Sequence, residues 1–339
     1  MKSVVTHIGL LAVAGAMAFS VWSRDEKADK DKPDMVEVWS GSPQSIESVA
    51  FDGKQRKVRI SPQKDEVGRY FAISVDKEEP VAPPHPQPAA DAGAPPAPTA
   101  PPKHELSSFV GVKEAEELMQ KLATLKALRS LGKFDPKRAA DYGLDKPEGT
   151  LKVKLGGKEQ VLTIGGQTPG GSERYAKYAG SNEIFAVEGD LVQTISYADS
   201  RLMTRDLHAF ADDDVKKVRL SKGAKNRDLV RVADKSFAWA DVGNPSKADE
   251  TAVNWMTKLD KLRSYQFVEK PQKPPTPDQL VVRVDYFKGP KSLGFFELYK
   301  QPGEKNAEYL VRTEFTRWYV KVVSGTAEQL DQDLGAVLK

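Results

Sequence analysis

The stretch "LTIGGQTPGGSERYAKY" (162–178) carries the residue types of a phosphate cradle. Gly165, Gly166, Gly170 and Gly171 leave backbone N–H groups open to an anion, and Ser172 and Arg174 follow. Such a cradle needs a strand before it and a helix after it, so that a helix N-terminus faces the charge. Here the far side is the alternating "RYAKY" and then the strand-like "EIFAV". No Gly-Lys-Ser/Thr follows, and no G-x-G-x-x-G occurs. The stretch reads as a hairpin corner.

Nucleophilic catalysis needs a nucleophile held near a base. Of the four histidines, His7 lies in an apolar N-terminal run, and His85 and His104 lie in or beside a Pro/Ala-rich tract. Only His208, in "TRDLHAF", falls in sequence expected to be ordered, and it has no G-x-S-x-G nearby. It reads as a structural or surface histidine. Metal sites need spaced His, Asp or Glu, and no i, i+4 His pair exists. "ADDDV" (211–215) lacks the alternating acidic ligands of a calcium loop and reads as a solvated turn. In "KEAEEL" (113–118), Glu117 and Lys121 stand at i, i+4 in the favourable order, so a solvated helix face explains the charges. Trp239, Trp255, Trp318 and Tyr319 could form a sugar-stacking surface, but their spacing places them in the core first. The basic run 214–231 reads as a hairpin whose lysines discourage edge aggregation. No catalytic, cofactor-binding or metal-ligating residue is assigned, and no cofactor is expected.

The 339 residues carry 51 basic and 48 acidic side chains, a net charge of +3, and no cysteine. Disulfides, thiolate metal sites and lipoprotein attachment are excluded, and there is no field for steering toward nucleic acid. Residues 4–21 form an apolar run of eighteen residues, which as a helix spans about 27 Å. Trp22 and Arg24 sit where an interfacial anchor would. We expect 1–23 to be a membrane anchor of the signal-anchor type, with the bulk of the chain outside the cytoplasmic membrane. A signal peptide cleaved near "AMAFS" and a buried soluble helix are the competing readings. Residues 24–36 form a charged stalk.

Residues 80–103 are Pro/Ala-rich and are expected to be disordered or polyproline-like. A comparison within the chain places them inside a domain rather than between domains. "AEELMQKLATLKAL" (115–128) aligns with "AVNWMTKLDKLRSY" (252–265): Ala115, Met119, Leu122 and Leu125 fall opposite Ala252, Met256, Leu259 and Leu262, at an offset of 137. Both rows carry an amphipathic helical stripe, the second with Ser246 as its expected N-cap. Downstream, Tyr175 and Phe185 match Tyr309 and Tyr319 at offset 134. Upstream, Phe71 and Ile73 match Phe237 and Trp239 at offset 166, and the 29-residue difference is close to the length of the Pro/Ala tract. The chain therefore reads as a duplicated unit, 37–211 and 212–339, with 80–103 inserted in the first copy and its two ends close together. The second copy's counterpart to the glycine stretch, "LYKQPGEKNAEYLV", keeps Pro302 and Gly303 and lacks the paired glycines, as a turn allows. Each unit reads as a strand hairpin, a third strand, a helix and a four-strand meander. A short helix with Asp135 as N-cap, Pro136 at N1 and Gly143 past its end precedes the first meander. The expected class is α+β, mostly antiparallel, in two tandem copies after an N-terminal hydrophobic helix.

"DYGLDKPEGTLKVKLGGK" followed by "LTIGGQTPGGSERYAKYAGSNEIFAV" resembles a bacterial family catalogued as domain of unknown function 4340. The likeness rests on Tyr142, Gly143, Leu144, Pro147, Gly165, Gly166, Tyr175, Ala176, Phe185 and Val187. It covers most of 106–270, and more weakly the second unit. It implies a membrane-anchored envelope protein, often encoded beside gliding-type ABC transport genes, and brings no catalytic residues. The Pro/Ala insertion and the altered second unit depart from the family pattern. The expected function is thus a non-catalytic, membrane-tethered envelope scaffold or accessory to a transport or motility system, with an envelope or inner-membrane protein as partner. A polysaccharide-binding module and a hydrolase with a site built from distant residues are the alternatives. The hydrolase reading requires a concave pocket of converging titratable groups around His208 or the acidic cluster.

Overall fold

The computed structural model describes residues 35–79, 103–233, 237–268, 274–303 and 306–339. The expected membrane anchor (1–23), the charged stalk apart from its last two residues, His7, His85 and nearly all of the Pro/Ala tract lie outside the described residues. In chain order the elements are β1 (Val36–Trp39), β2 (Ile46–Gly53), β3 (Arg56–Lys64), β4 (Arg69–Glu79), β5 (Lys103–Gly111), helix α1 (Lys113–Ala123), β6 (Leu125–Ala127) and β7 (Arg129–Lys133). A meander comes next: β8 (Gly149–Leu155), β9 (Lys158–Gln167), β10 (Arg174–Tyr178) and β11 (Glu183–Val187), then helices α2 (Gly189–Ser196) and α3 (Ala198–Arg201). Beyond a connector come β12 (Lys217–Lys222), β13 (Lys225–Arg231), β14 (Trp239–Asp241), α4 (Glu250–Asp260) and β15 (Ser264–Val268). The chain closes with β16 (Leu280–Lys288), β17 (Lys291–Gln301), β18 (Glu308–Thr313), β19 (Tyr319–Val322) and α5 (Ser324–Val337).

These strands build three antiparallel sheets, so the molecule is α+β and mostly antiparallel. A small sheet pairs β1 with β6. A nine-stranded sheet runs β5-β4-β3-β2-β8-β9-β10-β11-β7, and an eight-stranded sheet runs β14-β13-β12-β16-β17-β18-β19-β15. Leaving aside β5, the two large sheets follow one strand order. In each, the hairpin strand pairs with the first meander strand (Val49 with Val153, Val218 with Tyr286). In each, the strand after the helix closes the far edge against the last meander strand.

Alternation explains why one face of each sheet is dry. In β2, Ile46, Val49 and Phe51 are buried; in β16, Val282, Val284 and Tyr286 are, while Arg283 and Asp285 turn outward. The helices cover the dry faces. α1 buries Ala115, Leu118, Met119 and Leu122; α4 buries Ala252, Trp255, Met256 and Leu259, the same positions 137 residues on. Burying one such Leu or Met contributes about 1.5–3 kcal/mol. A tryptophan ties each helix to a neighbour: Trp39 Nε1 donates to the Leu122 carbonyl of α1 at 2.8 Å, and Trp255 Nε1 of α4 donates to that of Leu330 in α5 at 2.9 Å.

Several boundaries differ from the sequence reading. α1 stops at Ala123, and Leu125, counted as its fourth stripe position, belongs to β6, because alternating Leu125 and Ala127 satisfy a strand as well as a helix. The N-cap of α4 is Asp249, whose carboxylate accepts from the Ala252 N–H at 3.1 Å; Ser246 lies in the turn before it. Phe237 does not share the environment of Phe71: it is exposed at φ +59°, whereas Phe71 is wholly buried. Lys103 opens β5 rather than ending the Pro/Ala tract, and Val36 opens β1 rather than ending the stalk. Glu79 and Lys103, which flank 80–102, are register partners on adjacent strands. The helix after Asp135 is of the 3-10 kind, with Gly143 at φ +62° past its end.

The glycine stretch forms the β9–β10 corner. Its own backbone uses its N–H groups: Thr168 donates to the Glu173 carbonyl at 3.0 Å and Gly171 to that of Thr168 at 3.3 Å. Gly165 and Gly143 serve close approach: a Cβ on Gly165 would overlap the Tyr142 carbonyl oxygen, and one on Gly143 would stand 2.7 Å from the Gly166 nitrogen. Tyr142 then stacks edge-on against Tyr175 at 5.1 Å. The signature glycines and tyrosines thus bolt the 3-10 turn to the sheet. Gly165→Ala is expected to cost about 2–3 kcal/mol, because backbone cannot move aside. Gly157→Ala, at φ +76° with open space around it, is expected to cost about 1 kcal/mol. Urea unfolding of the two variants checks the order.

Candidate functional site

The two large sheets meet through the connector 202–211, and the titratable groups converge there. Thr204 donates its N–H to the Val110 carbonyl on β5 at 3.0 Å, and the Arg205 carbonyl accepts from the Ser264 N–H on β15 at 3.2 Å. The connector therefore lies between edge strands of the two sheets and hydrogen-bonds to both. The β18–β19 turn clamps its next residues. Thr313 Oγ1 donates to the Leu207 carbonyl at 2.6 Å and accepts from the Thr316 N–H at 3.0 Å, both bonds buried. From the same turn, Arg317 reaches the opposite sheet, donating from Nε and Nη2 to the Asp65 carboxylate at 2.6 and 3.0 Å and lying 4.3 Å over the Tyr70 ring. It does so from φ +60°, a conformation that costs an arginine energy and that the ion pair holds in place. Arg317 in turn holds the Asp65 carboxyl below its ordinary range.

Between these clamps sits His208. Its Nδ1 is 3.0 Å from Glu314 Oε1, and Glu314 Oε2 accepts from the Phe295 N–H at 2.8 Å. Gly294 makes room, since a Cβ there would overlap the carboxylate. Because a carboxylate only accepts, Nδ1 is assigned the proton that faces Glu314, and in the neutral imidazole Nε2 is then the acceptor nitrogen. The imidazole stacks on Phe210 at 4.6 Å and meets Tyr286 edge-on at 4.7 Å.

These groups wall a cleft of about 390 Å³ that also includes Asp206, Asp212, Asp260 and Arg263. Asp260 is the last residue of α4, where the helix dipole already disfavours an anion. Burial, with Asp212 as the next cause, pushes its carboxyl up to about 6, against the opposing pull of Arg231, His208 and Arg263. Tyr286 is 4% exposed, and burial holds its hydroxyl well above the usual phenol range. Asp206 is the better compensated carboxylate, 3.8 Å from Arg263 Nε. Among the described residues, no three His, Asp or Glu side chains are placed to hold a metal ion.

Of the residues weighed from the sequence, only His208 and the start of the "ADDDV" segment reach this cleft. Asp212–Asp214 form a 3-10 turn, with Asp214 paired to Lys288 at 2.6 Å. His104, placed beside the Pro/Ala tract by the sequence reading, stands in β5 with Nδ1 2.8 Å from Asp76. Ser172 and Arg174 stay at the hairpin corner, Arg174 paired with Glu148 at 3.0 Å. Trp239 and Trp255 are buried, and Trp318 and Tyr319 are partly so. Glu117 and Lys121 lie on the exposed face of α1. The basic run is the β12–β13 hairpin, where Arg219 and Lys217 hold Asp228 at about 2. Asp260 and Glu314 escaped sequence reading, one as the end of an amphipathic helix and the other in a turn. The signal for Glu314 is "TEFT", whose threonines at 313 and 316 can close a side-chain-capped turn.

A family model described as "Domain of unknown function (DUF4340)" matches residues 98–280, more than half of the chain, and the chain belongs to that family. No curated protein and no solved structure matches the chain. The matched stretch runs from the Pro/Ala tract to the start of β16, so it spans the connector and Asp260 as well as the glycine-and-tyrosine bolt.

The raised Asp260 carboxyl fixes the sign of a pH effect. Below the ordinary aspartate value the group is protonated in both states and costs nothing. The cost grows as pH rises from about 4 and is complete above about 6. Asp260→Asn is therefore expected to stabilise the protein by about 1–3 kcal/mol at pH 7.5 and by little at pH 4. Urea unfolding at the two pH values measures it.

Proposed function

We propose that this member of the family is a non-catalytic, membrane-tethered envelope protein. In this reading it holds an envelope or inner-membrane partner, such as a component of a transport or motility system, from the outer side of the cytoplasmic membrane. The single observation that carries the reading is the clamp at the junction. Two large sheets of one strand order are joined through buried hydrogen bonds and an inter-sheet ion pair, which suits a rigid presenting body. The shared strand order, with helices burying equivalent positions 137 residues apart, also supports a duplicated unit, 37–211 and 212–339. The apolar run at 4–21 supports the tether.

A second reading, a hydrolase, is favoured by one specific observation: the Glu314-oriented His208 and the half-buried Asp260 share a cleft, as a base and an acid would. Its weakness is the nucleophile, since among the described residues Tyr286 is the cleft's single hydroxyl-bearing lining residue. The polysaccharide reading rests on Trp318 and Tyr319, which are partly exposed, and on surface lysines, since Trp239 and Trp255 are interior.

Cross-linking in cells, followed by purification of the full-length chain in mild detergent, is expected to recover a stoichiometric envelope protein. Recovery of the chain alone under several mild conditions overturns the scaffold reading. Turnover of ester, amide or glycosidic substrates, lowered about 100-fold or more by His208→Gln, would establish the hydrolase instead.

A further inference from the structure

The junction cleft holds polar groups that the fold itself does not use. The Tyr286 hydroxyl belongs to a residue more than nine-tenths buried, yet it has no hydrogen-bond partner among the described residues. Among the described residues the sealed polar side-chain atom without a partner is Thr204 Oγ1, so the Tyr286 hydroxyl is not sealed, and Tyr286 lines the cleft. The Asp260 side chain likewise accepts no hydrogen bond among the described residues, although burial and Asp212 both press against its charge. Elsewhere around the cleft, Asp206 is met by Arg263, and Glu314 behind His208 is met by the imidazole and the Phe295 N–H, while the Asp212 side chain, like that of Asp260, has no hydrogen bond or ion pair among the described residues. Arg231 donates to the Asp212 carbonyl at 3.3 Å and lies 4.2 Å over Trp239, which directs it toward the connector and the core.

We propose that this cleft is a binding site for a primary ammonium group, seated between Asp260 and the Tyr286 hydroxyl against the rings of Phe210 and Tyr286. The two rings stand 5.1 Å apart and, with His208, form an aromatic cluster that a cation can lie against. An ammonium supplies three donors, and the site offers three acceptors to meet them: the Asp260 carboxylate, the Tyr286 oxygen and His208 Nε2. A neutral hydroxyl brings one donor and no charge, and a quaternary ammonium brings charge and no donor, so both fit less well. A volume of about 390 Å³ takes a small amine or the end of a lysine side chain. The site stands on the cleft alone and does not depend on the scaffold reading.

The test is titration of the full-length chain, in detergent, with n-butylamine, n-butanol and tetramethylammonium, followed by calorimetry. A lysine-containing peptide and its Nε-acetylated form make a second arm that separates a protein-borne amine from a free one. Butylamine is expected to bind at millimolar strength and butanol not at all, with tetramethylammonium weaker than butylamine. Tyr286→Phe, which keeps the ring, is expected to weaken butylamine about fivefold to tenfold. Asp260→Asn, which relieves the fold rather than straining it, is expected to abolish binding. Equal binding of butanol, tetramethylammonium at least as tight as butylamine, unchanged affinity in Tyr286→Phe, or no heat with butylamine across the millimolar range would overturn the proposal.

Discussion

The hydrogen bond from Thr313 to the Leu207 carbonyl is the constraint on which the junction depends. It is short, buried and made by a turn whose other residues face three ways: Glu314 to the connector, Phe315 into the interior, Arg317 to the opposite sheet. A buried carbonyl left without its donor costs about 1–3 kcal/mol, so the connector has one seat. With Leu207 seated, His208 meets Glu314, and the carboxylate is fixed from behind by the Phe295 N–H. The cleft is thus a consequence of how two sheets are joined, not a pocket carved into either one.

Each half is joined by close backbone contact and by charge. In the first sheet, Gly143, Gly165 and Gly189 let turns sit where a Cβ would collide, beside ion pairs such as Arg69–Glu116 and Arg129–Glu173. In the second sheet, Gly294 makes room in the same way, and charge adds to it. Arg227 bridges Asp241, Asp249 and the Val337 carbonyl, tying a hairpin to the start of one helix and the end of another. One strand order is therefore held together by both kinds of contact, and titratable groups line clefts in both halves, Lys54, Arg56, Glu148 and Arg174 among them in the first.

How much of this can be read from sequence depends on the range of each signal. The helical stripes at 115–122 and 252–259 are local and periodic, and both helices stand where those residues place them. The Asp135–Pro136–Gly143 capping pattern is equally local and survives as a 3-10 turn. The glycine stretch reads correctly as a corner because its flank alternates. One misassigned position is where two periods fit the same residues: Leu125 continues a helical stripe and also opens a strand with Ala127. β5 is hidden because its outer half, from Lys103 to Leu106, is exposed and carries no alternation of burial. The candidate site is mostly illegible for a different reason. His208 can be marked as a histidine in ordered sequence, but Glu314 is 106 residues away and Asp260 ends a helix. Nothing in the spacing of either brings them to His208; the shared strand order does.

The central claim is that the junction makes the two large sheets one cooperative body. Native-state hydrogen exchange on the full-length chain measures this through the slowest amides of each sheet, around Val153 in β8 and Val284 in β16. The expected result is one common opening free energy for both sets, falling together when Thr313 is changed to Val. A second sheet that opens on its own, with Val284 exchanging well before Val153 and indifferent to Thr313→Val, would contradict it.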